Sequence, residues 1–248
     1  MAFSGAFIRP FRPAFDAGAA AAAAGPWWPV AGKTCIGAYQ AKNVASYAAS
    51  KVNLSTPGTI DAVDGTAYPT WDAATGWYFD GTKWLSVSGL SAYITGTDKP
   101  VTIIWRCAKA DTTTTQTILC VSESAAGNPL MLAEMKNTAK LQVTRRDTSG
   151  GIVQLSSSDS YTTADGVFAI SHTGTATTFF INGVAVGGPT AQDVGAISLN
   201  QAFIGMNRYS SIPIINQGFV GYIAALSIYS NSLTDSEVAT KSAEIAAL

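Results

Sequence analysis

The sequence predicts an all-β domain, an antiparallel sandwich or barrel, preceded by an aromatic leading segment and closed by a short helix. Two observations carry that prediction. Between Gly76 and Tyr229 about a dozen short apolar runs are separated by turn residues, and no sustained helical periodicity is interleaved among them. The chain is also long enough for one large core: for 248 residues, roughly 37,000 Å² of unfolded surface would shrink to about 10,000 Å² on folding. With 47% apolar and 12% charged residues, the chain is too apolar for disorder, and its surface must be wetted largely by Ser, Thr, Asn and Gly. A net charge of −1 without a Lys/Arg cluster gives no long-range pull on phosphate backbones or anionic lipid, so nucleic acid is not an expected partner.

Residues 1–32 differ in composition from the rest of the chain. They hold Phe3, Phe7, Phe11 and Phe15 with Arg9 and Arg12, an alanine run from Ala19 to Ala24, and then Pro26, Trp27, Trp28 and Pro29. Each exposed Phe or Trp forgoes about 1.5–3 kcal/mol of burial, so the segment needs a surface to cover it. That surface is either its own domain or a neighbouring subunit or assembly. The second reading makes residues 1–32 an anchoring arm, with Phe3, Phe7, Arg9, Phe11, Arg12, Phe15, Trp27 and Trp28 as anchors, and residues 33–248 the domain; deleting residues 2–30 should then leave that domain folded. The order of basic start and apolar core that marks a secretory signal is absent, since Arg9 and Arg12 sit among phenylalanines and Pro10 and Pro13 break any helix. The run Ala17–Val30 is too short to span a bilayer and is interrupted by glycine and proline, so no membrane insertion is expected.

From Gly32 to Trp71 the pattern is mixed, with an apolar run at Cys35–Tyr39, an Ala/Ser-rich stretch at Ala45–Asn53 and then loop punctuation. The strand-like runs come in order: Trp77–Phe79, Trp84–Val87, Val101–Cys107, Thr117–Val121, Pro129–Met135, Leu141–Arg145, Ile152–Leu155, Val167–Ser171, Thr178–Ile181, Val184–Val186, Gln201–Gly205 and Phe219–Tyr229. Alternation puts Val101, Ile103, Trp105 and Cys107 on one face as core. Asn182-Gly183 between two apolar runs predicts a two-residue hairpin of type I′. Thr234-Asp235-Ser236-Glu237 is a capping box that opens a C-terminal helix, with Val238, Lys241, Ile245 and Leu248 on one stripe and Lys241 able to snorkel. That helix should lie on the sandwich surface.

Several of these pieces in this order resemble the concanavalin A-like, laminin-G-like family: Phe79-Asp80-Gly81, Val101-Thr102-Ile103-Ile104-Trp105, Phe179-Phe180-Ile181-Asn182-Gly183, Phe203-Ile204-Gly205, Phe219-Val220-Gly221-Tyr222-Ile223 and the ending Leu226–Val238. The resemblance covers residues 75–240 and implies a jelly-roll sandwich of two large antiparallel sheets. The stretch Ile36–Gln40 through Ala45–Leu54 into Pro57-Gly58 also resembles the openings of tailed-bacteriophage virion proteins that carry this domain. That second likeness implies a virion structural subunit (fibre, spike or decoration) assembled in the host cytoplasm. It would be held to other virion proteins by its arm, self-associating, with a trimer as the common form, and presenting its sandwich to a host-surface glycan. The alternatives are a carbohydrate-binding adhesin module and, less favoured, a polysaccharide-degrading enzyme.

Reactive chemistry is sparse. Glycosidases of this fold place paired carboxylates along one strand, and none of Glu123, Glu134, Glu237 and Glu244 has an Asp two residues on. The single histidine, His172, has no nucleophile motif beside it and reads as structural or solvated. No catalytic residue and no cofactor is therefore expected. Calcium is the one ion kept in view, through Asp80 or Asp147, although turn formation explains both aspartates equally well. Sugar would be held by an aromatic ring with polar neighbours, and Trp84, Asn207, Arg208 and Tyr209 are the rim candidates; hairpin packing of Trp84 and an ordinary loop at 207–209 are the plain readings. Cys35, Cys107 and Cys120 show no metal spacing and read as buried thiols, with a Cys107–Cys120 bridge as the alternative.

Overall fold

A computed structural model describes residues 26–248 except 112, 125–129, 162–164, 193–194, 210–211 and 215–216. The first strands are β1 (Cys35–Gln40), β2 (Ala62–Asp64), β3 (Thr70–Asp72), β4 (Gly76–Asp80), β5 (Leu85–Val87) and β6 (Val101–Lys109). Then come β7 (Gln116–Ser122), β8 (Leu130–Met135), β9 (Leu141–Arg146), β10 (Ile152–Ser156), β11 (Gly166–His172) and β12 (Ala176–Ile181). Short strands β13 (Val184–Ala185), β14 (Thr190–Ala191), β15 (Gln201–Ile204), β16 (Asn207–Tyr209) and β17 (Ile212–Ile214) lead to the long β18 (Val220–Tyr229). Two α-helices, α1 (Tyr47–Ser50) and α2 (Asp235–Ala246), and a 3₁₀ turn at Leu90–Tyr93 complete the element order.

All of these strands but β16 and β17, which pair with each other, form two antiparallel sheets packed face to face, the jelly-roll sandwich. The nine-stranded sheet runs β13-β12-β11-β6-β18-β4-β3, with β1 added to β18 and β14 to β12; the seven-stranded sheet runs β10-β9-β8-β7-β15-β5-β2. Alternation drives the packing: Val101, Ile103, Trp105 and Cys107 of β6 enter the core with Phe168 and Ile170 of β11, opposite Met131, Ala133 and Met135 of β8. The predicted hairpin closes with Asn182 and Gly183 at φ of 50° and 79°, both in the left-handed region a type I′ turn requires. At α2 both halves of the capping box form, Thr234 Oγ1 accepting from Glu237 N at 3.3 Å while Glu237 Oε2 accepts from Thr234 N at 2.7 Å. The helix buries Val238 and Ile245 on the outer face of the nine-stranded sheet, against Ile104, Val167, Ala169 and Phe180.

The segment before β4, which has no clear period in the sequence, is organised by one buried amide. Asn53 Oδ1 accepts from Ala38 N at 2.9 Å, and its Nδ2 donates to Ile36 O at 3.0 Å and Thr59 O at 2.9 Å, tying the loop at 53–61 to β1.

Between the sheets lies a polar chain. His172 Nε2 faces Arg145 Nη1 at 2.6 Å, His172 Nδ1 faces Thr177 Oγ1 at 3.0 Å, and Thr177 Oγ1 donates to Gln192 Oε1 at 2.7 Å. Burial and the neighbouring Arg145 cation lower the His172 pKa to about 4. The ring is thus neutral, with Nε2 accepting from the guanidinium and Nδ1–H donating to Thr177, and His172 is a buried structural residue. All three thiols are free. A Cys107–Cys120 bridge does not form because Cys107 points into the core, 3.5 Å from Met135 Sδ, whereas Cys120 points out of the other sheet beside Leu130 and Leu132.

Candidate functional site

The side chains that β8, β9 and β10 do not send into the core build a cleft on the outer face of the seven-stranded sheet. Leu130, Leu132 and Glu134 alternate with the core residues of β8, Thr144 and Arg146 flank Arg145 on β9, and Gln154 lies beside them on β10. The hairpin β16–β17 lies against this face. Arg208 O ties it to the sheet, accepting from Ser122 Oγ at 2.7 Å and from Cys120 Sγ at 3.2 Å. Asn207 Nδ2 donates to Gln217 Oε1, and these two amides form the opposite wall. The space enclosed is about 160 Å³.

Leu130 and Leu132 make an apolar floor, ringed by a carboxylate, a hydroxyl, a guanidinium and three amides. Gln154 Nε2 reaches Thr144 Oγ1 at 3.4 Å, and Thr144 Oγ1 donates to Glu134 Oε2 at 3.0 Å. Burial pushes the Glu134 carboxyl above the usual carboxylate range, with the Thr144 hydrogen bond and the Lys136 charge acting the other way. Donors and acceptors on paired strands around an apolar floor suit a ligand with both hydroxyl edges and C–H faces. Among the described lining residues Glu134 is the single carboxylate, whereas glycoside hydrolysis in its common form uses two.

Of the residues singled out from sequence, Asn207 lies in this cleft. Trp84 does not offer a stacking face: it is 7% exposed, packed with Phe203 and Met206, and its indole occupies the space above Gly65, where a Cβ would sit 2.2 Å from the ring. The guanidinium of Arg208 covers it, 4.9 Å from the Trp84 ring and 5.3 Å from that of Phe203. Tyr209 belongs to β16, its side chain outside the described part.

Trp27 and Trp28 need correction as anchors for an outside surface, because they pack on the domain itself. Trp27 is 5% exposed in the cluster under α2, its Nε1 donating to Gln40 Oε1 at 3.1 Å, and Tyr229 Oη donates to Trp28 O at 2.8 Å. A deletion through residue 30 therefore removes core. Phe3, Phe7, Arg9, Phe11, Arg12 and Phe15 lie outside the described residues. Asp80 and Asp147 are turn residues: Asp80 Oδ1 accepts from Thr82 N at 3.0 Å, and Asp147 Oδ1 from Ser149 N at 2.9 Å and Gly151 N at 2.8 Å. Among the described residues no group of three or more His, Cys, Asp or Glu converges as a metal site. Sequence reasoning misses the cleft residues Glu134, Thr144, Arg146, Gln154 and Gln217, although polar residues alternating with core positions on three successive strands are a usable signal.

The laminin-G-type profile described as the concanavalin A-like lectin/glucanases superfamily matches residues 104–239. No curated protein sequence matches the chain. Among solved structures, the CBM40 of the Ruminococcus gnavus IT-sialidase bound to α2,6-sialyllactose superposes with a TM-score of 0.55 at 13% identity, over 84% of this chain and 100% of that one. The Trypanosoma rangeli sialidase gives 0.61 at 12% identity over 86% of this chain, and the leech intramolecular trans-sialidase 0.51 at 16% over 63%. The chain spans only 33% and 26% of those two enzymes. At such identities the likeness is one of fold.

Proposed function

Because the chain belongs to the concanavalin A-like lectin/glucanases superfamily, we propose that it is a non-catalytic glycan-binding module whose ligand enters the cleft between β8–β10 and the hairpin β16–β17. The observation that carries this reading is the cleft itself: an apolar floor with Glu134, Thr144, Arg146, Gln154, Asn207 and Gln217 converging on it from hydrogen-bonded strands and the facing hairpin. The CBM40 neighbour bound to sialyllactose supports it, and the single carboxylate speaks for binding over hydrolysis. A glycan array that includes both sialyllactoses and neutral oligosaccharides tests it. Binding should appear to at least one glycan and fall about tenfold in Thr144→Val and Glu134→Gln, equivalent to one hydrogen bond to a charged or well-placed group. An empty array, or binding that ignores both substitutions, overturns it.

One observation favours a further, compatible reading, in which the module is displayed on a virion by its leading arm. Trp27 packs on the outer face of the nine-stranded sheet, the side of the sandwich opposite the cleft, so a partner holding residues 1–25 would leave the cleft facing outward. Removing residues 2–25 should leave glycan binding intact and abolish incorporation into particles. Normal incorporation would sink the arm's role.

A further inference from the structure

Tyr222 of β18 stands directly opposite Tyr78 of β4 in the antiparallel register, and alternation turns both away from the core that Trp77, Phe79 and Ile223 enter. Their rings lie 5.0 Å apart at 47°, and Tyr222 is 37% exposed. On the same face α2 covers Ile104, Val167 and Ala169, and its last turn stops at the edge of this end of the sheet, where Ala246 O accepts from Arg106 Nη1 at 2.9 Å. Beside the pair is a hollow of about 190 Å³, with Ala108 and Ala224 of the sheet at its base and Ala74, Thr75, Lys42 and Asp165 around it. The Arg106 guanidinium grips the Asp165 carboxylate bidentately and fixes it in place, Nε donating to Oδ1 at 3.0 Å and Nη2 to Oδ2.

We propose that this hollow is a second carbohydrate subsite, taking a single pyranose ring stacked on Tyr222 with its hydroxyls toward Lys42, Thr75 and Asp165. The chemistry is that of the ligand class. A pyranose offers a C–H face that packs on an aromatic ring and an equatorial belt of hydroxyls that needs both donors and acceptors, and the rim supplies an ammonium, a hydroxyl and a carboxylate. The hollow is smaller than the roughly 300 Å³ of pockets that enclose a drug-sized ligand, so it holds one ring resting on the sheet and not a buried chain. Since it lies on the far side of the sandwich from the cleft, it stands or falls independently of the cleft reading.

The test is a titration of the ¹⁵N-labelled full chain with methyl glycosides of galactose, glucose, mannose and N-acetylglucosamine, followed amide by amide. At least one should shift Thr75, Ala108 and Ala224 saturably, with a millimolar dissociation constant. Tyr222→Ala should weaken it about tenfold while Tyr222→Phe, which keeps the ring, retains it, and Thr144→Val in the cleft leaves it unchanged. Four glycosides that leave these amides still, equal shifts in Tyr222→Ala, or shifts that follow protein concentration without sugar because a second copy of the chain covers the face would each overturn the proposal.

Discussion

Where the chain is cut before β1 should decide whether the domain survives, because Trp27 is core and Trp28 packs against the same cluster. A chain starting at residue 26 keeps Trp27 in the cluster with Ala38, Ile104, Ala225 and Val238; one starting at residue 31 loses it. Truncating a buried Trp costs about 3–5 kcal/mol. The second cut also strips Gln40 and Tyr229 of the partners they have in Trp27 Nε1 and Trp28 O, each worth about 1 kcal/mol. The expected loss is therefore about 5 kcal/mol, comparable to the whole stability of a modest domain. Urea unfolding followed by tryptophan fluorescence reads it directly. With a slope of about 3 kcal/mol per molar for a domain of this size, the midpoint should fall by about 1.5 M for the chain starting at 31 and hold for the chain starting at 26. Equal midpoints for the two cuts would refute the assignment of Trp27 to the core.

Acid should weaken the fold through His172. Its folded pKa of about 4 lies below the ordinary 6.5, so the unfolded chain binds the extra proton first and the His172 contribution, full above pH 6.5, is lost as pH falls toward 4, by ~3 kcal/mol. Urea midpoints at pH 7 and pH 4.5 should show a steeper fall in the parent than in His172→Gln, and parallel falls would exclude the mechanism. Glu134 runs the other way: its raised pKa makes the buried charge a cost as pH rises, so Glu134→Gln should raise the midpoint at pH 8 and leave it unchanged at pH 3, which calorimetry can check. Lys109→Met should cost about 2 kcal/mol or more, since the buried Lys109 Nζ donates to Met135 O and Tyr161 Oη, both at 3.1 Å, and an apolar replacement leaves Met135 O without that donor; a thermal melt within a degree of the parent would contradict this.

Much of the sandwich could be read from the residues because its rules are local. Alternation in Val101–Cys107, the Asn182-Gly183 turn and the Thr234–Glu237 capping box each specify their element within a few residues, and each forms. β1 was hidden for the opposite reason. Its four central residues are all buried, leaving no alternation, and its partner β18 lies at the other end of the chain, Ala38 pairing with Ser227. For Trp84 the sequence left hairpin packing and a rim platform both open, and packing is what forms, with the ring set over Gly65 and under Arg208. The cleft escaped notice because Glu134, Thr144 and Gln154 look like an ordinary wetted sheet face until Asn207 of β16 and Gln217 face them.

Trp28 and Leu248 pack against the same hydrophobic cluster, and Lys33 Nζ reaches Ser232 O at 2.9 Å, so the two ends of the sandwich meet on one side. A short peptide could join Leu248 to residue 26, and the exposed turn at Ser149-Gly150 could be opened instead, giving a circular permutant with the same sheets. Cargo fused at Leu248 or directly ahead of residue 26 would hang on the side of the sandwich opposite the cleft, leaving the outer face of the seven-stranded sheet free.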